Sequence, residues 1–182
     1  MSLGSNKRLI LKSLHDGIPV IPEEAVGFYR QNCIACLDSQ GHKAGVVLDV
    51  TNTDGSCSSL PVVWDGQVTA ELKHAYADLV RATEYAACAM ALLIVRETTE
   101  FTAIEQASRG TTIDYYLGYK TDVEDLIFNR VARLETSGIL HETASNNTPG
   151  RVQEKKLRLK VGLPALIAVV EFGQPKCQVV KA

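Results

Sequence analysis

The apolar segment from residue 86 to residue 95, Ala-Ala-Cys-Ala-Met-Ala-Leu-Leu-Ile-Val, constrains the fold more than any other part of the chain. It continues a pattern in which apolar side chains recur at spacings of three and four, the period of one helical face. This pattern comprises Leu72, Tyr76, Leu79, Thr83, Ala86, Met90 and Leu93. No Gly or Pro occurs between Thr69 and Gly110, and Thr69 suits an N-cap. The sequence therefore predicts one long central helix that starts at Thr69 and is buried on several sides in its second half.

The segments after this helix predict three strands, a second helix and a closing strand. The predicted strands lie in residues 101–108, 111–117 and 126–140, followed by a helix over 151–160 and a strand over 165–172. The turn signal Arg109-Gly110 predicts that the first two strands are antiparallel. The apolar run 165–172 is typical of a strand covered on both faces, and a last run over 177–180 is expected to pair at an edge. The expected fold class is α/β (α+β) with a central mixed sheet.

The first third of the chain has a different character. Residues 9–22 predict an extended arm, because Pro and Gly interrupt every short apolar piece. Residues 28–37 and 44–50 are β-prone runs that predict a hairpin, and residues 60–64 predict a brief strand. We therefore expect two parts, a β-rich N-terminal arm and hairpin over residues 1–66 and an α/β core domain over residues 67–182.

Charge and cysteine content limit the function classes. A net charge of -2 argues against a surface that is one continuous nucleic-acid footprint, although it leaves room for a local basic patch. The apolar run 86–95 is shorter than the roughly 20 residues that cross a bilayer, so no membrane partner is expected. The five cysteines and the lack of a secretory signal favour reduced thiols and a cytoplasmic location.

Familiar motifs are weak or missing. Cys33 and Cys36 have the spacing of a zinc or redox pair, but no second pair of ligands accompanies them, and ordinary buried cysteines are favoured. The histidines stand alone in the sequence, and no glycine-rich phosphate loop is present. The isolated histidines are His15, His42, His74 and His141.

Two acidic residues in predicted strands remain to be explained. Asp114 and Glu135 lie in otherwise strand-like segments, where an unpaired buried acid costs several kcal/mol. Neighbouring strands lie about 4.8 Å apart, so carboxylates from both can converge on one Mg²⁺ whose other ligands are waters. A bound Mg²⁺ acidifies water and neutralises phosphate charge.

A helix, strands that carry Asp and then Glu, a helix and a closing strand resemble the PD-(D/E)XK, or restriction endonuclease-like, superfamily. The resemblance spans about residues 68–172 and implies that Asp114 and Glu135, with Glu84 on the central helix, hold Mg²⁺. Ser137 stands where the family places Lys, two residues after the second acid. Two sequence segments, residues 110–118 and 132–140, also look like segments of small uncharacterised prokaryotic proteins. This second resemblance implies no function.

Members of the superfamily sometimes supply the missing cation from the following helix. The resemblance therefore implies Lys156 or Lys155 as the substitute, so that Asp114, Glu135 and Lys156 are the expected catalytic residues. Lys155, Arg133 and Arg151 are expected to bind phosphate, with nucleic acid as the partner.

A non-catalytic interpretation remains open. Glu135 would then pair with Arg133 or Arg109, and Asp114 would lie on an exposed sheet face. Helix 151–160 would be a solvated amphipathic helix whose apolar side chains point inward, namely Val152, Leu157, Leu159 and Val161. The protein would in that case be a homo-oligomeric assembly or binding subunit.

Overall fold

The computed structural model describes residues 7–125 and 128–182, within which eight strands and five α-helices form a mixed α/β fold. The strands are β1 (Leu9–Ile10), β2 (Val47–Thr51), β3 (Cys57–Val63), β4 (Phe101–Gln106), β5 (Tyr115–Tyr119), β6 (Ala132–Ile139), β7 (Ala165–Glu171) and β8 (Lys176–Lys181). The helices are α1 (Glu23–Ser39), α2 (Ala70–Ala75), α3 (Leu79–Thr98), α4 (Lys120–Glu124) and α5 (Thr148–Arg158).

All eight strands belong to one sheet in the order β1-β3-β2-β8-β7-β6-β5-β4. The pairs β1–β3, β2–β8 and β6–β7 are parallel, and the other neighbours are antiparallel. The mixed sheet expected from the sequence is therefore confirmed. Strands from before and after residue 66 share this sheet, because β2 pairs with β8.

The two faces of the sheet are covered by different helices. Helix α3 packs on β6 and β7, and α1 packs on α3, so that one large core encloses Leu134, Ala168 and Val170. Helix α5 covers the opposite face, where Val152 joins a smaller apolar cluster with β6 and β7. Every residue of β7 is buried, as the sequence predicts.

The predicted strand over residues 28–37 is wrong, because these residues lie in α1. Their aromatic and β-branched content favoured a strand, but the chain enters a helix after Pro22 with Glu23 and Glu24 in the first turn, where carboxylates favour helix formation. The hairpin is formed instead by β2 and β3 around residues 52–56. On a helix, Cys33 and Cys36 point to the same side, and both are buried against α3, with sulfurs 3.6 Å from the Ala86 carbonyl oxygen and 3.7 Å from Thr83 Oγ1.

The single helix expected from Thr69 is also wrong, because the chain divides into α2 and α3. Thr69 is the N-cap of α2, and its hydroxyl accepts a hydrogen bond from the Leu72 amide at 3.2 Å. A second cap at Asp78 accepts from the Arg81 amide at 3.2 Å and starts α3. Strand β8, expected at an edge, lies inside the sheet between β7 and β2.

Two further observations concern the helices and their exposed side chains. None of the helices in the described part of the chain is both long enough and apolar enough to cross a membrane. Leu157 and Val161, placed inward by the amphipathic interpretation, are instead almost fully exposed.

Gly138 marks the closest approach of α3 to the sheet. A Cβ atom at this position would lie 2.6 Å from the Thr83 carbonyl oxygen and 2.9 Å from Ala87 Cβ, well inside van der Waals contact. The missing side chain therefore allows α3 to lie directly on the end of β6.

The substitution Gly138→Ala should destabilise the protein by about 1–3 kcal/mol, because it forces the helix away from the sheet. Urea denaturation measures the change. Gly27→Ala is the control, since a Cβ atom on Gly27 would meet no side chain and no other element within 4 Å. This helical substitution should be neutral or stabilising by up to about 1 kcal/mol. Equal effects of the two changes would contradict the close contact.

Candidate functional site

A cleft of about 790 Å³ opens where the first half of α3, the end of β6 and the start of α5 meet. Its walls carry carboxylates, cations, hydroxyls and aromatic rings together, which is the composition expected of a binding site with several convergent polar groups. The polar residues that line the cleft include Glu84, Cys88, Asp114, Thr136, Ser137, Arg151 and Lys155.

Asp114 is fixed immediately before β5 by hydrogen bonds to β6. Its backbone amide donates to the Leu134 carbonyl at 2.9 Å. Its carboxylate oxygen Oδ2 accepts two bonds from Thr136, one from the amide and one from the hydroxyl, both at 2.7 Å. Two donors on one oxygen hold the carboxylate against the end of β6.

Glu135 stands beside Asp114 on the neighbouring strand. Glu135 lies between Leu134 and Thr136, the two β6 residues that hydrogen-bond to Asp114. Glu135 is only 8% exposed, and its carboxylate accepts a hydrogen bond from Lys155 Nζ. The structure therefore brings the two predicted acids together and adds one of the predicted lysines.

The surroundings raise the pKa of Glu135. Burial makes the largest contribution, and the charge of the neighbouring Asp114 carboxylate adds to it. The ammonium group of Lys155 acts in the opposite direction but does not outweigh them. Burial and the neighbouring carboxylate therefore both disfavour the ionised form of Glu135, which Lys155 partly stabilises.

Arg151 lies on the same wall as Lys155, one helical turn earlier on α5. Its guanidinium donates to Ser137 Oγ at 3.0 Å and to Asn146 Oδ1 at 2.6 Å. Ser137 therefore contacts a cation from α5.

The other predicted site residues are placed differently. Glu84 lines the cleft from α3, yet no group of three His, Cys, Asp or Glu side chains suited to a metal occurs among the residues described. Lys156 is exposed and is not part of the cleft wall. Arg133 donates to the carbonyl oxygens of Leu163 at 2.7 Å and Lys160 at 2.9 Å, at the opposite end of β6.

The start of α5 is held in position by two polar side chains. Asn147 Oδ1 caps the helix by accepting from the Gly150 amide at 3.0 Å. Glu142 accepts from the Thr148 amide and from Lys176 Nζ, both at 2.6 Å. Burial opposes ionisation of Glu142, but these donors hold the pKa of its carboxyl at about 2. Glu142 therefore links α5, and with it Lys155, to β8.

Sequence patterns gave no indication of several residues in the cleft. Cys88 lies within the apolar run of α3, yet its sulfur is 3.2 Å from Thr136 Oγ1, and burial raises the pKa of this thiol to about 11. Tyr115 is buried and lines the same cleft as Cys88 and Tyr29. Tyr115 could have been placed near the site from the sequence, because it follows Asp114 directly. Tyr29 and Cys88 could not, because they come from helices that are distant in the sequence.

Comparisons with protein-family models, with curated proteins and with solved structures find nothing that matches this chain. The functional conclusion therefore depends on the chemistry of the cleft.

Replacement of Glu142 should have an effect on stability that depends on pH. A carboxyl whose pKa is lowered on folding stabilises the protein fully above its unfolded pKa, near 4.5, and loses this contribution as pH falls towards about 2. Glu142→Gln should therefore lower the free energy of unfolding by a constant amount from pH 7 to about pH 4.5, and by less below it. Denaturation of both proteins at pH 3 to 7 measures this difference. A difference that does not change with pH would contradict the role of the ionised carboxylate.

Proposed function

We propose that the protein is a Mg²⁺-dependent phosphodiesterase that acts on nucleic acid, with Asp114, Glu135 and Lys155 at its centre. The single observation that carries the proposal is the convergence of these three side chains from two neighbouring strands and a helix. Lys155 contacts Glu135, and Asp114 is close enough to Glu135 to raise its pKa. Carboxylates can hold the metal ion that promotes cleavage of a phosphodiester, and a lysine can stabilise the charge that develops on the phosphate.

The acid pair fits a hard divalent cation. Burial raises the pKa of Glu135, and repulsion by the Asp114 carboxylate adds to this effect. A cation between the two carboxylates would remove the repulsion. Mg²⁺ is commonly held by one or two carboxylates with waters and substrate phosphates. Asp114 and Glu135 would hold it, and when bound it would supply an acidified water and charge neutralisation.

The remaining side chains have roles that follow from their contacts. Thr136 fixes Asp114 through two hydrogen bonds, so that the carboxylate is already oriented before any ligand binds. Lys155 orients Glu135. Its positive charge would also stabilise the negative charge that develops on a phosphate oxygen in the transition state. Arg151, with several donors on the same wall, suits a phosphate oxygen of the substrate.

The proposed relationship to the PD-(D/E)XK superfamily agrees with this arrangement. A cation from the following helix substitutes for the lysine that is absent at position 137, and Lys155 contacts the acid while the neighbouring Lys156 points elsewhere. We therefore assign the catalytic lysine to Lys155, one residue before the position first favoured by the sequence. Arg133 is not included in the phosphate site, because it lies at the far end of β6, where its Nε and Nη1 donate to backbone carbonyl oxygens.

The proposal predicts Mg²⁺-dependent cleavage of oligonucleotides that depends on Asp114 and Lys155. Asp114→Asn should abolish cleavage, and Lys155→Ala should slow it by about 100-fold or more, the size of effect typical of a positioned proton-transfer or charge-stabilising group. Gel electrophoresis of labelled oligonucleotides, with Mg²⁺ and with EDTA, measures the rates.

Lys156→Ala is the matched control, because it removes the same charge from the next residue of α5 outside the cleft. It should change the rate by no more than about twofold, since it alters only the general electrostatic attraction of the strand. Equal losses in the two lysine variants would contradict the assignment, and so would cleavage that Asp114→Asn leaves intact.

A homo-oligomeric binding subunit is the second candidate function, favoured by a different surface. Leu157 and Val161 are 87% and 105% exposed near the end of α5, where two apolar side chains gain stability when another surface covers them. Self-association without any Mg²⁺-dependent cleavage would favour this function over hydrolysis.

A further inference from the structure

Three aromatic side chains form a cluster at the mouth of the cleft. The rings of Phe28 and Tyr85 lie 4.7 Å apart in a T-shaped arrangement, and Tyr29 contacts both, at 5.6 Å from Phe28 and 6.3 Å from Tyr85. Tyr29 and Tyr85 line the cleft, and Phe28 contacts both of them. The cluster joins α1 to α3 and fixes the orientation of the rings.

The cluster remains accessible although it is well packed. Phe28 is 43% exposed and Tyr85 is 38% exposed. Exposed aromatic groups that adjoin a polar cleft are typical of ligand-binding surfaces, because a fixed ring offers a large contact area at little cost in conformational entropy.

Tyr85 and Asp114 line the same cleft. Tyr85 is three residues before Cys88 on α3, less than one helical turn of about 5.4 Å. The sulfur of Cys88 is 3.2 Å from Thr136 Oγ1, which in turn donates to Asp114 at 2.7 Å. A group stacked on Tyr85 would therefore be a near neighbour of a phosphate held at Arg151 and Lys155.

We propose that Tyr85, supported by Phe28, stacks an unpaired nucleobase, so that the substrate class is single-stranded nucleic acid. This inference rests on the proposed function, because the phosphate next to that base occupies the site of Asp114, Glu135 and Lys155. Bases inside a duplex already stack on each other, whereas an unpaired base offers its face to an aromatic ring. A cleft of about 790 Å³ has the size of a site for a small organic ligand, which suits single nucleotides of a flexible strand.

Charge and aromatic surface in the cleft agree with this ligand. Proteins that bind single strands combine cations that follow the phosphates with aromatic rings that stack the bases. Arg151 and Lys155 provide the cations on one wall, and Tyr85 provides the ring on the other. Stacking on a ring is tolerant of sequence, so little preference among bases is expected.

The test compares an ordinary strand with one that has no bases. Binding of fluorescein-labelled oligothymidylate of about 8 nucleotides is measured by fluorescence anisotropy, next to an abasic sugar-phosphate oligomer of the same length. Tyr85→Ala should weaken binding of oligothymidylate by between about 5-fold and 100-fold, and binding of the abasic oligomer by less than twofold. Tyr85→Trp should restore the loss.

Two further variants separate stacking from folding. Tyr85→Leu keeps apolar bulk against Phe28 but has no flat ring, so it should lose binding without a matching loss of melting temperature. Tyr119→Ala is the matched control, since Tyr119 is also 38% exposed and contacts one aromatic ring, Phe101, at 5.3 Å, but lies at the other end of β5. This variant should bind like the wild type.

The outcomes distinguish the stacking site from hydrolysis. Binding that is unchanged in Tyr85→Ala, that falls equally for the abasic oligomer, or that is as tight for a duplex of the same length overturns the stacking site. If Mg²⁺-dependent cleavage nevertheless occurs, the hydrolytic function stands. Binding that depends on Tyr85 without any cleavage supports the stacking site and overturns the hydrolysis.

Discussion

Burial of the Glu135 carboxylate beside Asp114 is the constraint on which the rest of the site depends. An acid that is buried next to another acid needs a cation, and the chain meets this need from α5, where Lys155 contacts Glu135. The helix must therefore begin at a fixed place, which explains why both Asn147 and Glu142 bind its first amides. The position of one ammonium group thus links the sheet, the loop before α5 and β8.

The second wall of the cleft follows from a packing constraint. Gly138 allows α3 to lie directly against β6, and this contact brings Cys88 to Thr136 and Glu84 and Tyr85 to the cleft. The alanines of α3 serve the same purpose, because small side chains let helix and sheet approach closely. The cleft is therefore built between two rigid elements, which is the arrangement that holds functional groups at fixed distances.

The pattern of apolar residues in the sequence predicted the mixed sheet and the fully buried strand β7. The near-continuous apolar run of β7 predicted a strand buried on both faces, and acids on consecutive strands led us to expect Asp114 and Glu135 close together. The strand predicted over residues 28–37 was wrong because local β-propensity does not account for tertiary packing: residues 32–37 are all buried in a helix that packs on α3. Local patterns could not predict that Tyr85 lines the cleft, nor could they favour Lys155 over Lys156. The side-chain direction of each residue depends on how its helix packs on the rest of the protein.

The most direct test of the acid pair as a cation site is a Mg²⁺ titration followed by melting temperature. A ligand that binds only the folded state stabilises it by an amount that grows with concentration, so wild-type melting temperature should rise steadily through the millimolar range. Asp114→Ala and Glu135→Ala should each remove this rise, because each leaves only one carboxylate of the pair. A wild-type protein that shows no rise at millimolar Mg²⁺, or variants that respond as the wild type does, would contradict the account.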